Sequence, residues 1–230
     1  KFLVAGRGGL NITHSEQAEV FSVRYGTNAE IFKKFLAGFS PADLRIWLRG
    51  LGVETFIGTS GRVFPRDIGA SDILKLWIET LARRGVVFHY HHRWQGFAPQ
   101  SGAPLFRTEN GVLREFPSRA VLLALGGASW PQTGSDGSWA PILAAGGVHL
   151  APFRPANCGV EVAWSEHFRS RFSGNPLKNL LLRCADRQAF GDVVVTEHGL
   201  EGGAVYTLSG VIRDLLGKKS PVLLFLDLKR

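Results

Sequence analysis

The stretch RAVLLALGGASW, residues 119–130, carries the strongest fold signal in the sequence. Val121 to Leu125 form a continuous apolar run, and Gly126 and Gly127 follow it at once. A run without polar alternation is typical of a strand in a parallel sheet covered on both faces. Ligands of open α/β sheets bind at the carboxyl ends of strands. A plain strand-to-helix turn is the alternative, and we favour a binding turn because two glycines after a buried strand require a reason.

The patterns on both sides of this run alternate between helices and extended segments. Helical spacing and capping signals predict helices at 28–37, 41–51 and 67–84. Extended segments are predicted at 1–5, 86–92, 94–98, 104–109 and 112–116, with turns at Gly58–Gly61 and Asn110-Gly111. Beyond Pro152 we predict strands at 158–163, 177–184, 190–196 and 221–228 and a helix at 203–216. The change of pattern predicts a domain boundary near Phe153, between residues 1–152 and 153–230.

A second glycine-rich turn, GRGGLN, occupies residues 6–11. Consecutive amides in such a loop form an anion-binding nest, to which Arg7 adds a charge and Asn11 an amide. No Gly-Lys-Ser/Thr follows, and the spacing is not G-x-G-x-x-G. By spacing alone, a tight turn and a binding loop are equally good interpretations.

Composition limits the class of protein. The chain has 230 residues, 45% hydrophobic and 20% charged, which is ordinary for a soluble globular protein. No apolar run approaches the ~20 residues of a membrane helix. The net charge is +8, but the basic residues are scattered, so we expect a solvated basic surface and no nucleic-acid groove. The chain contains no Met and does not start with one, which leads us to expect a fragment of a longer protein.

Other polar clusters give weaker signals. His89 and His91 would share one face of a strand, but two histidines do not make a metal site. Glu197, His198 and Glu201 are possible acid–base groups, and a loop before a capped helix explains them equally well. Cys158 and Cys184 are expected to be free thiols in a reducing compartment. No serine or cysteine nucleophile stands out.

Five separated stretches together resemble one family. They are KFLVAGRGGLNITH, GRVFP, LALGGASWPQTGSDG, RPANCGVEVAWSEHF and GLEGGAVYTLSG, and they follow one another in the family's order. The chain resembles the BaiN-like NAD(P)/FAD-dependent oxidoreductases, in particular the subgroup described only as flavoprotein, over nearly its whole length. The resemblance implies an α/β fold: an incomplete FAD-binding Rossmann-like domain of the glutathione-reductase type, residues 1–152. An inserted, mainly-β α+β domain follows, residues 153–230, itself expected to be incomplete.

The resemblance also implies the residues that contact FAD. The glycine loop would lie along the diphosphate and flavin, the backbone at Trp94 against the adenine, and the end of the apolar run against the cofactor. The implied contacts are Lys1, Arg7, Gly8, Gly9, Leu10, Asn11, Trp94, Ala124, Gly126 and Gly127. No catalytic residue and no metal ligand is implied. The family's opening G-x-G-x-x-G unit is missing, so we expect residues 1–230 alone to bind FAD weakly or not at all.

The implied function is that of a cytoplasmic, FAD-dependent oxidoreductase. NADH or NADPH would donate electrons, and the substrate would be an unsaturated small molecule. A nucleic-acid-associated flavoprotein that uses its basic surface is one alternative. A flavin-binding protein without turnover is another.

Overall fold

The computed structural model describes residues 2–5, 10–218 and 221–228. The chain divides into two compact units, residues 1–149 and 150–230. The boundary predicted near Phe153 falls close to this division, while the roles assigned to the two parts stay predictions. Within the described ranges, no helix is long and apolar enough to cross a membrane.

The helix at Pro41–Gly50 begins at a polar cap and buries Leu48. Ser40 and Asp43 form a capping box, in which Ser40 Oγ accepts from the Asp43 amide and Asp43 accepts from the Ser40 amide. The helices predicted at 28–37, 41–51 and 67–84 are confirmed. The described helices are α1 (Phe2–Ala5), α2 (Ala18–Val23), α3 (Ala29–Gly38), α4 (Pro41–Gly50), α5 (Ala70–Arg83) and α6 (Trp139–Ala145).

Two small antiparallel sheets accompany these helices. The first has the order β1-β3-β2 and contains β1 (Thr13–His14), β2 (Thr55–Ile57) and β3 (Arg62–Pro65). The second has the order β4-β5-β6 and contains β4 (His92–Phe97), β5 (Pro104–Thr108) and β6 (Leu113–Glu115). The turns predicted at Gly58–Gly61 and Asn110-Gly111 are confirmed as the connections β2–β3 and β5–β6.

A small core lies between α4 and α5. Leu48 and Ile73 are 1% exposed, and Val53 packs with them. Trp47 on α4 meets Trp77 on α5 edge to face, with ring centroids 5.3 Å apart. Burial of a side chain such as Leu48 contributes roughly 2 kcal/mol to stability, so these contacts fix α4 against α5.

Several predicted strands differ from the structure. Residues Phe2–Ala5 are helical, and the strand predicted at 221–228 is limited to Phe225–Asp227. His91 has φ +57°, which is outside the strand region, so β4 begins only at His92. Residues 86–91 form no strand.

The parallel strand predicted at Val121–Leu125 is also wrong. Leu122 is 91% exposed, and no strand of the described chain pairs with this run. A strand needs hydrogen bonds from a neighbour, so an apolar run without one remains irregular. All strand pairings among the described residues are antiparallel.

The second unit is a five-stranded antiparallel sheet with one long helix packed on it. The sheet order is β11-β8-β9-β10-β7. Its elements are β7 (Val160–Glu161), α7 (Glu166–Phe172), β8 (Pro176–Cys184), β9 (Arg187–Val195), β10 (Gly199–Glu201), α8 (Gly203–Leu216) and β11 (Phe225–Asp227). Val205 and Leu208 of α8 pack on Leu182 and Val193 of the sheet. The helix predicted at 203–216 and the strands predicted at 177–184 and 190–196 are confirmed, whereas the strand predicted at 158–163 is limited to Val160–Glu161.

Gly202 joins β10 to α8 in a conformation that favours glycine. Its φ is +114°, and a Cβ placed on it would lie 2.5 Å from the carbonyl oxygen of Asp192. Gly202→Ala is therefore expected to destabilise the second unit by roughly 1–3 kcal/mol. Urea unfolding followed by circular dichroism measures the loss.

Gly210→Ala is the matched control in the same unit. A Cβ at Gly210 meets no atom within 4 Å, and the residue lies inside α8. Alanine there is expected to stabilise the helix by about 0.5–1 kcal/mol. Equal unfolding midpoints for the two variants would contradict the close approach at Gly202.

Candidate functional site

A cavity of about 650 Å³ lies in the first unit, beside the predicted glycine turn; we call it the β4 cavity. Its walls come from β4, β5 and the loop between Leu125 and Trp139. It is lined by His91, His92, Arg93, Trp94, Arg107, Thr108, Glu109, Leu125, Gly134, Asp136, Ser138 and Trp139. The lining includes cationic, anionic and aromatic side chains, so the cavity suits a polar ligand that also has a ring.

The loop after Leu125 is folded by side chains that bind glycine carbonyls. Ser135 Oγ donates to the carbonyl oxygen of Gly127 at 3.0 Å, and Trp139 Nε1 donates to that of Gly126 at 3.1 Å. Gly126 has φ +76°, which favours glycine. The amides of Gly126 and Gly127 donate to no acceptor in the described part of the chain. Two backbone amides of this turn are therefore available to donate to solvent or to a ligand.

An ion pair ties this loop to the sheet. Arg93 Nη2 on β4 lies 2.7 Å from Asp136 Oδ2, and the Ser138 amide donates to Asp136 Oδ1 at 3.0 Å. Hydrogen bonds from Ser138 and, after them, the charge of Arg93 hold the pKa of the Asp136 carboxyl below its ordinary value. The carboxylate thus holds both β4 and the start of α6.

Two buried nitrogens at the β4 cavity lack partners. Trp94 is 7% exposed, and neither its Nε1 nor Nε2 of His92 has a hydrogen-bond partner among the described residues. A buried polar atom without a partner costs free energy, and such atoms are rare in folded proteins. Both nitrogens belong to residues that line the β4 cavity.

Leu10 and Asn11, also predicted to contact FAD, line a different cavity. This space of about 460 Å³, which we call the α4–α5 cavity, lies between α1, α4, α5 and the segment that leads into β1. Trp94 lines the β4 cavity, so these predicted contacts line two separate cavities. The convergence of the two glycine turns on one cofactor therefore stays a prediction.

The other predicted contacts divide into two groups. Trp94 lines the β4 cavity, with the Gly126–Gly127 turn directly after its lining residue Leu125. Ala124 is exposed and precedes Leu125. Lys1, Arg7, Gly8 and Gly9 lie outside the described residues.

The remaining candidate groups give no assembled site. Glu197 and His198 are exposed on a turn of the second unit, and Tyr206 Oη donates to Glu201 at 3.4 Å. Burial, followed by the nearby Glu201 carboxylate, raises the pKa of Tyr206. In the described ranges, no group of three or more His, Cys, Asp or Glu residues is placed to hold a metal. Both cysteines are free.

The side chains that shape the loop at the β4 cavity were not singled out in the sequence. The hydrogen bonds of Ser135, Asp136 and Trp139 reach partners that are 8 to 43 residues away along the chain. The partner of Asp136 is Arg93. The one signal for them is the polar and aromatic composition of the loop after the glycines.

Comparison with known families decides the classification. Residues 1–220 match the family model of the HI0933-like protein Rossmann domain. The chain belongs to the HI0933-like family. This family has a FAD-binding, Rossmann-type domain associated with oxidoreductases, which confirms the coarse expectation of a flavin-binding, oxidoreductase-like protein. No curated protein matches the chain significantly.

The lowered pKa of Asp136 predicts how the contribution of this carboxyl to folding stability depends on pH. Because the pKa of this carboxyl is lower in the folded chain, its ionised form stabilises the fold above the ordinary value of 3.8, and the contribution disappears as pH falls through the lowered pKa. Asp136→Asn is therefore expected to lower the urea midpoint of the first unit at pH 7, and its difference from the parent chain is expected to shrink as the pH falls from 3.8 toward 2.

Glu79→Gln is the matched control, since Glu79 is exposed on α5 and also loses one negative charge. Its urea midpoint is expected to equal that of the parent chain throughout this pH range. An equal effect of the two substitutions at pH 7 would show that net charge, and not the contacts of Asp136, stabilises the chain.

Proposed function

We propose that this member of the HI0933-like family is part of a FAD-dependent oxidoreductase that reduces an unsaturated small molecule with electrons from NADH or NADPH. The observation that carries the proposal is the pair of free amides at Gly126 and Gly127, held by Ser135 and Trp139 beside the β4 cavity. Family membership supports FAD as the cofactor.

The residues of the β4 cavity fit such a cofactor. Its volume of about 650 Å³ suits the adenosine end of a dinucleotide. The Trp94 and His92 nitrogens lack protein partners, and the two glycine amides face no protein acceptor in the described chain. The Trp94 indole and the two glycine amides are donors, whereas His92 Nε2 is an acceptor, because Nδ1 of that ring donates to the Tyr90 carbonyl oxygen. A ligand with ring atoms of both kinds and a negative group would suit this set.

Each residue would bind or orient the cofactor. The Gly126 and Gly127 amides would donate hydrogen bonds to it, and the backbone at Trp94 would contact the adenine. Arg7 and Lys1 would supply positive charge to the diphosphate. Bound FAD would supply the redox chemistry by carrying electrons from the nicotinamide to the substrate. Ser135 and Trp139 are positioning residues, because they act through the glycine carbonyls.

We further propose that the chain belongs to the BaiN-like subgroup and is an internal part of a longer cytoplasmic flavoprotein. Residues 1–152 would then be material of a glutathione-reductase-type FAD domain, and residues 153–230 an inserted domain. The match over residues 1–220 to a Rossmann-domain family supports the first part. The mainly-β composition of the unit at 150–230 supports the second.

The cofactor proposal is tested in the full-length protein that contains this chain. We expect a flavin absorption spectrum after purification and anaerobic bleaching by NADH or NADPH. Gly126→Ala is expected to lower the FAD content, because the new Cβ strains a turn of φ +76° and lies 3.4 Å from Ser135 Oγ.

Gly147→Ala is the matched control. Gly147 has φ +81° with no atom within 4 Å of its Cβ position, so the backbone strain is similar but no predicted cofactor contact is touched. Its FAD content is expected to stay near that of the parent. Equal FAD loss in both variants would contradict a specific role of the Gly126 turn, and a full-length protein without flavin would contradict the proposal.

Residues 1–230 by themselves are expected to bind FAD weakly or not at all. The chain has no G-x-G-x-x-G fingerprint, whose helix N-terminus is the main diphosphate anchor in dinucleotide-binding folds. The measurement is the FAD content of the purified chain and a fluorescence titration with added FAD. A stoichiometric yellow complex would refute this expectation.

A further inference from the structure

The α4–α5 cavity has a chemistry of its own, different from that of the β4 cavity. None of the described residues that line it is charged, and Asn11 carries the one side-chain amide. The other lining side chains are aliphatic or aromatic. In a chain of net charge +8, an uncharged pocket is a local feature that the overall composition does not explain.

The cavity has a buried floor and an aromatic mouth. Leu48 and Ile73 line it and are each 1% exposed, so the floor belongs to the core between α4 and α5. Phe39 is 52% exposed and Trp77 is 37% exposed, and both also line the cavity. Large aromatic side chains around an open apolar pocket are typical of small-molecule sites.

The two indoles give the cavity a shape that suits a ring. Trp47 and Trp77 meet with an interplanar angle of 83°, so the pair presents a ring face and a ring edge at one corner. Aromatic ligands gain from both arrangements, face to edge and offset face to face. A volume of about 460 Å³ is sufficient for a molecule of two or three fused rings.

We propose that the α4–α5 cavity binds an uncharged, ring-containing apolar molecule, with Asn11 bonding to one polar substituent. The proposal rests on the proposed function in one respect, that this molecule is the substrate of the flavoenzyme. The link is Leu10 and Asn11, which line the cavity and directly follow the glycine loop predicted to lie along the flavin. Binding itself is independent of FAD.

The test uses two fluorescent probes that differ by one charge. N-phenyl-1-naphthylamine is neutral, and 8-anilino-1-naphthalenesulfonate is the same ring system with a sulfonate. An uncharged cavity is expected to bind the neutral probe about tenfold more tightly, because burying an ionised group without a partner is costly. A basic surface patch would prefer the sulfonate, so tighter binding of the sulfonate to residues 1–230 would overturn the proposal.

Trp77→Ala locates the bound probe. Loss of the indole is expected to weaken binding of the neutral probe about fivefold. Trp130→Ala is the matched control, because Trp130 is 40% exposed, lies in the same unit and does not line the cavity. Equal binding by both variants, with unchanged circular dichroism, would overturn the site.

Asn11→Asp keeps the test decisive if Trp77→Ala fails to fold. Asn11 is exposed, and a carboxylate at this position would repel the sulfonate. We therefore expect Asn11→Asp to weaken binding of the sulfonate probe more than binding of the neutral probe. Asn110→Asp, on the exposed β5–β6 turn, is expected to leave the ratio of the two dissociation constants unchanged. An unchanged ratio in Asn11→Asp would overturn the assignment of the probe to this cavity.

The substrate role is tested separately in the flavin-loaded, full-length protein. Binding of the neutral probe is expected to shift the flavin absorption spectrum. The reason is that Leu10 and Asn11 line the cavity and directly follow the glycine loop predicted to lie along the flavin. Probe binding without a spectral shift would overturn the substrate role. A full-length protein without flavin would overturn the cofactor proposal. The proposal that the cavity binds an uncharged ring compound would still be tested by the probe titrations on residues 1–230.

Discussion

The requirement that backbone amides and carbonyls find partners governs both units of this protein. In the second unit, β8 and β9 satisfy it by pairing with each other, and α8 covers the face they form. In the first unit, the turn at Gly126–Gly127 satisfies only its carbonyls, through Trp139 and Ser135. The amides left over at this turn are the feature on which the proposed cofactor site depends.

The polar contacts of the β4 cavity form one connected arrangement. Arg93 holds Asp136, Asp136 accepts from the start of α6, and α6 carries the Trp139 that fixes Gly126. Because each group orients the next, the loop is shaped before any ligand arrives. Pre-formed donors of this kind bind a ligand at a lower entropic cost than a loop that must first become ordered.

Two cavities of the first unit differ in their chemistry, as the two proposed roles would require. The β4 cavity combines charges, glycine amides and unpartnered ring nitrogens, which suits a charged dinucleotide. The α4–α5 cavity is uncharged and aromatic, which suits an apolar substrate. The HI0933-like assignment rests on the sequence match over residues 1–220, since the described sheets contain antiparallel pairs and no parallel ladder.

Local signals in the sequence were sufficient for the elements whose hydrogen bonds close over short distances. The capping box at Ser40 and Asp43, the Asn110-Gly111 hairpin and the helix at 203–216 all satisfy their backbones within a few residues, so pattern and turn chemistry predicted them. The resemblance of five motifs likewise identified a flavin-binding, oxidoreductase-like family. Only the tertiary structure decided that Val121–Leu125 forms no strand, because an apolar run becomes a strand only where a neighbouring strand forms hydrogen bonds with it. It alone also joined Arg93 to Asp136 and Trp139 to Gly126, since contacts between distant residues depend on the packing of β4 and α6 and leave no periodic pattern in the sequence.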